Sequence, residues 1–279
     1  MMRMSSLVTG ALPGLAILIG GLLALGYYGL AVHPRRDRQA FRRYAGSALV
    51  PPMLVGFFYW ALGPLVHALA RRGVTPNHIT AFSLVLATVA AISFGVGQFI
   101  WGAWIFALAA ACDGLDGLLA RLTAQASRSG AFFDSFIDRL GEGGVYLGLA
   151  YYGQGGWLTW TAVAAIIASY AVSYARARGE ALGVECKGGL MQRPERMVVL
   201  FVTTLGSPYL ALYLEPGRGI PTYHLAIVGT GFIAAAALFT AVSRARWIFN
   251  ALRESEASMP AEIEVGDQPL STHFESGRV

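Results

Sequence analysis

The sequence predicts an all-α protein, a polytopic bundle of membrane helices in which a six-helix core is preceded by one extra N-terminal span and an interfacial helix. Three observations carry that reading. Of 279 residues, 55% are hydrophobic and only 13% are charged, with a mean hydropathy of +0.53. The apolar residues fall in long runs rather than at the spacing of a water-facing helix. The net charge of +5 is almost all arginine, with Lys187 the only lysine, and the arginines gather in loops instead of coating one face. That pattern is a membrane topology signal and argues against a soluble nucleic-acid-binding surface.

Taken in order, residues 7–32 form an uncharged run of 26, long enough to span with some tilt. A cleaved signal peptide is the competing reading, through Gly29-Leu30-Ala31, but the run exceeds the ~7–15 residues of a signal core. Arg35, Arg36, Arg38, Arg42 and Arg43 follow and mark a basic cytoplasmic arm, which closes a first unit over 1–47. Residues 48–70 are apolar too, but Pro51, Pro52 and Pro64 interrupt them and Arg71 and Arg72 follow. A span there would leave one arginine-rich loop outside, so parity assigns 48–79 to an interfacial or re-entrant segment.

Thr75-Pro76-Asn77 supplies turn formers ahead of the next helix. Six spans are expected at 80–97, 99–120, 130–152, 157–176, 196–214 and 223–243, giving a core over 80–249. Loops 121–129, 176–196 and 244–253 are basic while 153–156 and 215–222 are nearly neutral, so every basic loop falls on one side. With the first span the count is seven, N-terminus outside and C-terminus inside. Residues 250–279 contain six acidic residues, Pro260 and Pro269, and read as a disordered acidic cytoplasmic tail. Cys112 and Cys186 offer no disulfide framework and are expected as free thiols.

Four carboxylates interrupt this apolar pattern. Asp113 and Asp116 end one span, and Asp134 and Asp138 begin the next, at spacings that place each pair on one helical face. A carboxylate at membrane depth costs roughly 2.5–3.5 kcal/mol even on lenient scales. A lone helix-end aspartate snorkels to water or caps the helix, but two in-phase pairs facing each other favour a hard divalent cation, Mg2+ or Mn2+. Gly114, Gly117 and Gly130 remove side chains from the same faces, and Arg121 is placed to grip a phosphate. Carboxylates, glycines and arginine together suggest phosphoryl chemistry.

The run Asp113-x2-Asp116-Gly117-x2-Ala120-Arg121-x8-Gly130-x3-Asp134-x3-Asp138 resembles the complete signature of the CDP-alcohol phosphotransferase family. The likeness extends over about 75–250, including Pro76, Asn77 and Thr80 in a Pro-Asn-x-x-Thr start to the first core helix. It implies a six-helix membrane enzyme that moves a phosphatidyl or similar lipid-phosphoryl group from a CDP-linked lipid to an alcohol, releasing CMP. Carried over residue by residue, it makes Asp113, Asp116 and Asp134 ligands of two metal ions. Asp138 would touch a metal and take the proton of the incoming hydroxyl. Gly117, Ala120, Arg121, Asn77 and Thr80 would bind the CDP-lipid, with Arg121 on its phosphates. The resemblance also implies a homodimer, and the basic loops place the site on the cytoplasmic side of what is expected to be a prokaryotic cytoplasmic membrane.

Residues 173–196 bear on the acceptor alcohol. Ser173, Arg176, Arg178, Arg193 and Arg196, with Arg244 at the end of the last span, form a candidate basic pocket, although positive-inside topology alone would also explain the arginines. The pattern is similar to that of phosphatidylinositol phosphate synthases, where such residues hold the phosphate of inositol 1-phosphate. Two positions depart from it, since the usual lysine is Arg176 and the usual acid before Arg193 is Gln192. A phosphorylated acceptor is therefore expected, inositol 1-phosphate first and glycerol 3-phosphate second.

Two readings compete from outside this reaction class, a divalent-cation transporter and an inactive lipid-binding relative. Transport favours midplane carboxylates open to both faces, whereas these sit at helix ends beside arginines. The five histidines are scattered without ligand spacing, and the tryptophans fall mostly near span ends, as an interfacial belt does.

Overall fold

In the computed structural model the described residues are 20–21, 23–32, 52–186, 188–216 and 218–258. The first part of the N-terminal span, the basic arm and the chain beyond 258 lie outside them. All regular structure among the described residues is helical. A short apolar helix, Leu23–Val32, ends in a π-turn at Tyr28–Val32, and Tyr28 packs edge-on against Phe57 and beside Trp60. Seven longer helices follow: α1 (Pro52–Arg71), α2 (Pro76–Gly95), α3 (Phe99–Leu122), α4 (Arg128–Gly153), α5 (Trp157–Ala181), α6 (Arg193–Leu214) and α7 (His224–Ser258).

The segment expected to be interfacial or re-entrant is a single continuous helix, α1, with Pro64 inside it, so the chain does not turn back within 52–71. It lies against α3 through Val66, Leu62 and Leu69, which join Ile79, Cys112, Leu115 and Leu119 in one small core. α2 packs on both α3 and α4, α5 on α4 and α7, and α6 on α3 and α7. Alanines fill much of the main core, among them Ala87, Ala90, Ala103, Ala162, Ala165 and Ala226. Small side chains let the backbones approach closely where lipid supplies no hydrophobic drive. The tightest approach is at Gly148, where any side chain would strike the backbone of Ala91.

The outward faces are apolar instead of polar, as Phe82, Val85, Val89 and Ile92 on α2 and Val228, Phe232 and Phe239 on α7 illustrate. Among the described residues, five helices are long and apolar enough to cross a membrane, which makes this an integral membrane protein. α4 matches them in length but carries Arg128, Asp134, Asp138, Arg139 and Glu142, and so falls outside the five. It sits between α2 and α5, with Glu142 buried.

Three expected boundaries move by four residues or more. Pro76 starts α2 four residues early, because extended Thr75 before a proline is a natural helix start and His78 Nδ1 accepts from the Thr75 N–H at 3.5 Å. α5 runs on through Arg176 and Arg178 to Ala181, where a loop was expected. α7 continues through Arg253 and Glu254 to Ser258, so the acidic tail begins with helix rather than disorder. In both cases the apolar run stops while good helix formers carry the helix onward. Both cysteines are buried free thiols.

Candidate active site

The turn between α3 and α4 brings the two aspartate pairs together. Ala124 takes a left-handed conformation (φ 54°) to reverse the chain, and Ser127 caps α4 by accepting from the Gly130 N–H at 3.1 Å. One carboxylate oxygen each from Asp113, Asp116 and Asp134 then lies within 4.8 Å of the other two. The Thr80 hydroxyl at the start of α2 donates to Asp116 Oδ2 at 2.5 Å, which fixes that buried carboxylate. Asp134 Oδ1 is buried and accepts no hydrogen bond. Crowded carboxylates with an unmet buried oxygen are a costly arrangement that a hard divalent cation would relieve, and the donor set fits one.

Asp138 stands one turn further along α4 and meets Arg193, the first residue of α6. Arg193 donates from Nη1 to Asp113 Oδ2 at 2.5 Å and pairs through Nη2 with Asp138 Oδ1 at 2.8 Å. One guanidinium thus straddles both aspartate pairs, within the carboxylate cluster and not in a separate acceptor pocket.

Beside the cluster lies a cavity of about 390 Å³ between the start of α2, the end of α3 and the start of α4. Asn77, Thr80, Gly117, Ala120 and Arg121 all line it, together with Asp116 and Asp134. The Arg121 guanidinium folds over Gly117, since a Cβ built there would meet Nη1 at 3.5 Å. At Gly130 a Cβ would stand 3.0 Å from Ser127 Oγ and 3.7 Å from Asn77 Oδ1, so both glycines keep this wall thin.

The six residues expected to share one basic pocket are dispersed. Ser173 and Arg176 line a hollow of about 660 Å³ between α4 and α5, with Ser135, Arg139 and Tyr170, and Arg176 pairs with Glu180 at 2.8 Å. Arg178, two residues on, is exposed. Arg244 is buried and donates to the carbonyls of Gly188 (2.9 and 2.7 Å) and Val172 (3.1 Å), which pins the loop before α6. Arg196 is buried in a bidentate pair with Glu142 at 2.6 and 2.8 Å, and its Nη1 donates to the Met191 carbonyl at 3.3 Å. These corrections share one cause: a sequence shows where arginines are, but their partners come from other helices. Glu142, left outside the expected site, is the residue that takes up Arg196. Its position one turn after Asp138 was the available signal.

The comparisons with known proteins agree with this geometry. A family model described as CDP-alcohol phosphatidyltransferase matches residues 73–242. The phosphatidylinositol phosphate synthase of Mycolicibacterium smegmatis is 32% identical over 212 residues, 74% of this chain and 90% of that one. That of Mycobacteroides abscessus is 38% identical over 152 residues, 52% of this chain and 68% of the other. The crystal structure of Mycobacterium tuberculosis phosphatidylinositol phosphate synthase with CDP-DAG bound is similar with a TM-score of 0.58 at 26% identity, covering 67% of this chain and 92% of that one. The same enzyme has been solved in complex with manganese and citrate. With more than half of its length matched by the family model and the motif aspartates gathered in one cluster, the chain belongs to the CDP-alcohol phosphatidyltransferase family.

Proposed function

We propose that this protein is a phospholipid-synthesis enzyme that moves a phosphatidyl or similar lipid-phosphoryl group from a CDP-linked lipid to inositol 1-phosphate, releasing CMP. Glycerol 3-phosphate is the second candidate acceptor. One observation carries the reading. Asp116 and Asp134 belong both to the three-carboxylate cluster and to the wall of the cavity lined by Asn77, Gly117, Ala120 and Arg121. A nucleotide diphosphate seated on that wall, against Gly117 and Gly130, would turn its phosphates toward the carboxylates.

In this proposal Asp113, Asp116 and Asp134 hold divalent metal, Mg2+ or Mn2+ and two ions by the family resemblance. When bound, such metal neutralises the diphosphate and stabilises the departing phosphate oxygen. Thr80 keeps Asp116 aimed, and Arg121 donates to the phosphates. The acceptor hydroxyl attacks the lipid-linked phosphorus in line, its proton passes to an Asp138 carboxylate oxygen, and the bond to CMP breaks. Arg193 holds Asp138 in place for that transfer and lies where a second phosphate would arrive. Ser173, Arg176 and Arg178 on α5 extend the acceptor's route, whereas Arg196 and Arg244 support it through the structure around them.

The site end of the bundle carries Arg71, Arg72, Arg121, Arg128, Arg176 and Arg178, which supports a cytoplasmic-side site in the cytoplasmic membrane. A homodimer follows from the resemblance, and cross-linking in native membranes tests it. The domain plan proposed is a core over 80–249 with the preceding segments and the C-terminal tail as additions. To test the reaction, purified protein is incubated with CDP-diacylglycerol, Mg2+ and each alcohol in turn. CMP release that requires inositol 1-phosphate is the expected result. Release with serine or free inositol but not with phosphorylated acceptors overturns the acceptor assignment.

A further inference from the structure

Two ion pairs join α4 to α6 like rungs of a ladder. Asp138 and Glu142 stand four residues apart on α4, Arg193 and Arg196 three apart on α6, and each acid meets one arginine. The rungs differ in surroundings. The Asp138–Arg193 rung borders the carboxylate cluster, with Arg193 24% exposed, while in the Glu142–Arg196 rung the two side chains are 5% and 2% exposed. All three nitrogens of Arg196 are engaged, two by Glu142 and one by the Met191 carbonyl. Met191 is itself fixed, since its N–H donates to Thr240 on α7 at 3.1 Å.

We propose that Glu142 and Arg196 are positioning residues: their buried pair sets the height and rotation of α6 so that Arg193 falls between Asp113 and Asp138. Arg196 cannot reach an acceptor phosphate without stripping Glu142 of its partner in a buried site, so its work is done through Arg193. A buried pair of this kind adds little net stability over apolar packing, but it specifies a single register, because sliding α6 would leave two charges unpaired. The inference rests on the transfer reaction proposed above.

The test begins from an exchange that removes both charges together, Glu142→Leu with Arg196→Met, since removing one alone leaves a buried charge and endangers folding. The exchanged protein is expected to melt within a few degrees of the wild type. Its kcat is expected to fall on the order of 10- to 100-fold, as for a misplaced catalytic group, while KM for the CDP-lipid stays within about twofold. In an Arg193→Ala background the same exchange is expected to lower kcat no further, because the two acts share one route. Full activity in the exchanged protein, or a loss that multiplies with that of Arg193→Ala, overturns the proposal. Should the wild type release no CMP with any acceptor, the reaction proposed above fails by itself. The pair is then judged by Mn2+ titration: the exchange tightens Mn2+ binding if Arg193 leaves Asp113, and unchanged binding refutes the positioning role.

Discussion

The two ends of the bundle treat buried charge in opposite ways. At the site end, four aspartates crowd together, Arg193 pairs with only Asp113 and Asp138 among them, and Asp134 Oδ1 is buried with no donor. At the far end Glu215, with its side chain 2% exposed, is met on every side. It accepts from the backbone N–H of Thr222 and Tyr223 at 2.5 and 3.1 Å and pairs with His224 Nδ1 at 2.8 Å. Phe99, Tyr152 and Tyr223 close that end with ring centroids 4.1–5.3 Å apart. One end leaves a buried carboxylate oxygen without a donor, and the other uses both oxygens of Glu215 to turn the chain from α6 into α7. Binding capacity and stability are therefore separated along the bundle, which mutations at the two ends should expose.

The largest effect is expected from Asp138→Asn. Amide cannot take the acceptor's proton, so kcat for CMP release should fall by about 10²- to 10⁴-fold. Melting temperature should hold or rise, because one member of a crowded like-charge group is gone while Arg193 retains Asp113. A variant that melts early but turns over normally when folded would reverse the comparison.

At the far end the expectation is the opposite. Glu215→Gln loses charge-assisted hydrogen bonds and should cost about 2–3 kcal/mol of stability with no change in kcat of the folded enzyme. Burial disfavours the charged form of Glu215, but the donors from Thr222 and His224 outweigh it and hold the carboxyl below its usual 4.5. A native carboxyl that is the stronger acid stabilises fully above the unfolded value and loses that contribution as pH falls through the native one. Wild-type melting temperature should therefore drop more than that of Glu215→Gln between about pH 5 and pH 3. Equal slopes would show that Glu215 does not carry this turn.

Gly148 tests the packing between the two ends. Gly148→Ala places a methyl against the backbone of Ala91, and backbone cannot step aside as a side chain does. A loss of about 2 kcal/mol is expected, read from thermal melts, with activity per folded molecule unchanged.

How much of this was visible in the chain follows from the range of each interaction. Five of the six core helices are apolar runs readable by hydropathy, and the aspartate cluster is readable from spacings of three and four, because both signals are local to one or two helices. Gly117 and Arg121 on the cavity wall were readable for the same reason, and Ala120, Asn77 and Thr80 only through the family pattern. The partners of the arginines were not. Arg193, Arg196 and Arg244 look alike in sequence, yet one bridges carboxylates, one is locked to Glu142 and one holds a loop carbonyl. Those fates depend on which helix faces α6 and α7. The helical extensions of α5 and α7 are not visible in hydropathy, which ends at the membrane surface, whereas helix propensity does not.

The finest discrimination lies between Gly148 and Gly117, two glycines with different reasons to lack a side chain. A methyl at 117 would meet only the end of Arg121, at 3.5–4.0 Å, an ordinary contact with a flexible side chain. Gly117→Ala should therefore fold like the wild type. It also reduces the room in the cavity of about 390 Å³ and shifts the Arg121 guanidinium. KM for CDP-diacylglycerol should rise roughly tenfold, the lower end of what one misplaced methyl costs in a binding pocket. The rise should be weaker in an Arg121→Ala background, where the methyl has no guanidinium to push. A Gly117→Ala enzyme with unchanged KM would move the nucleotide off this wall, and one that fails to fold would make Gly117 a packing glycine like Gly148.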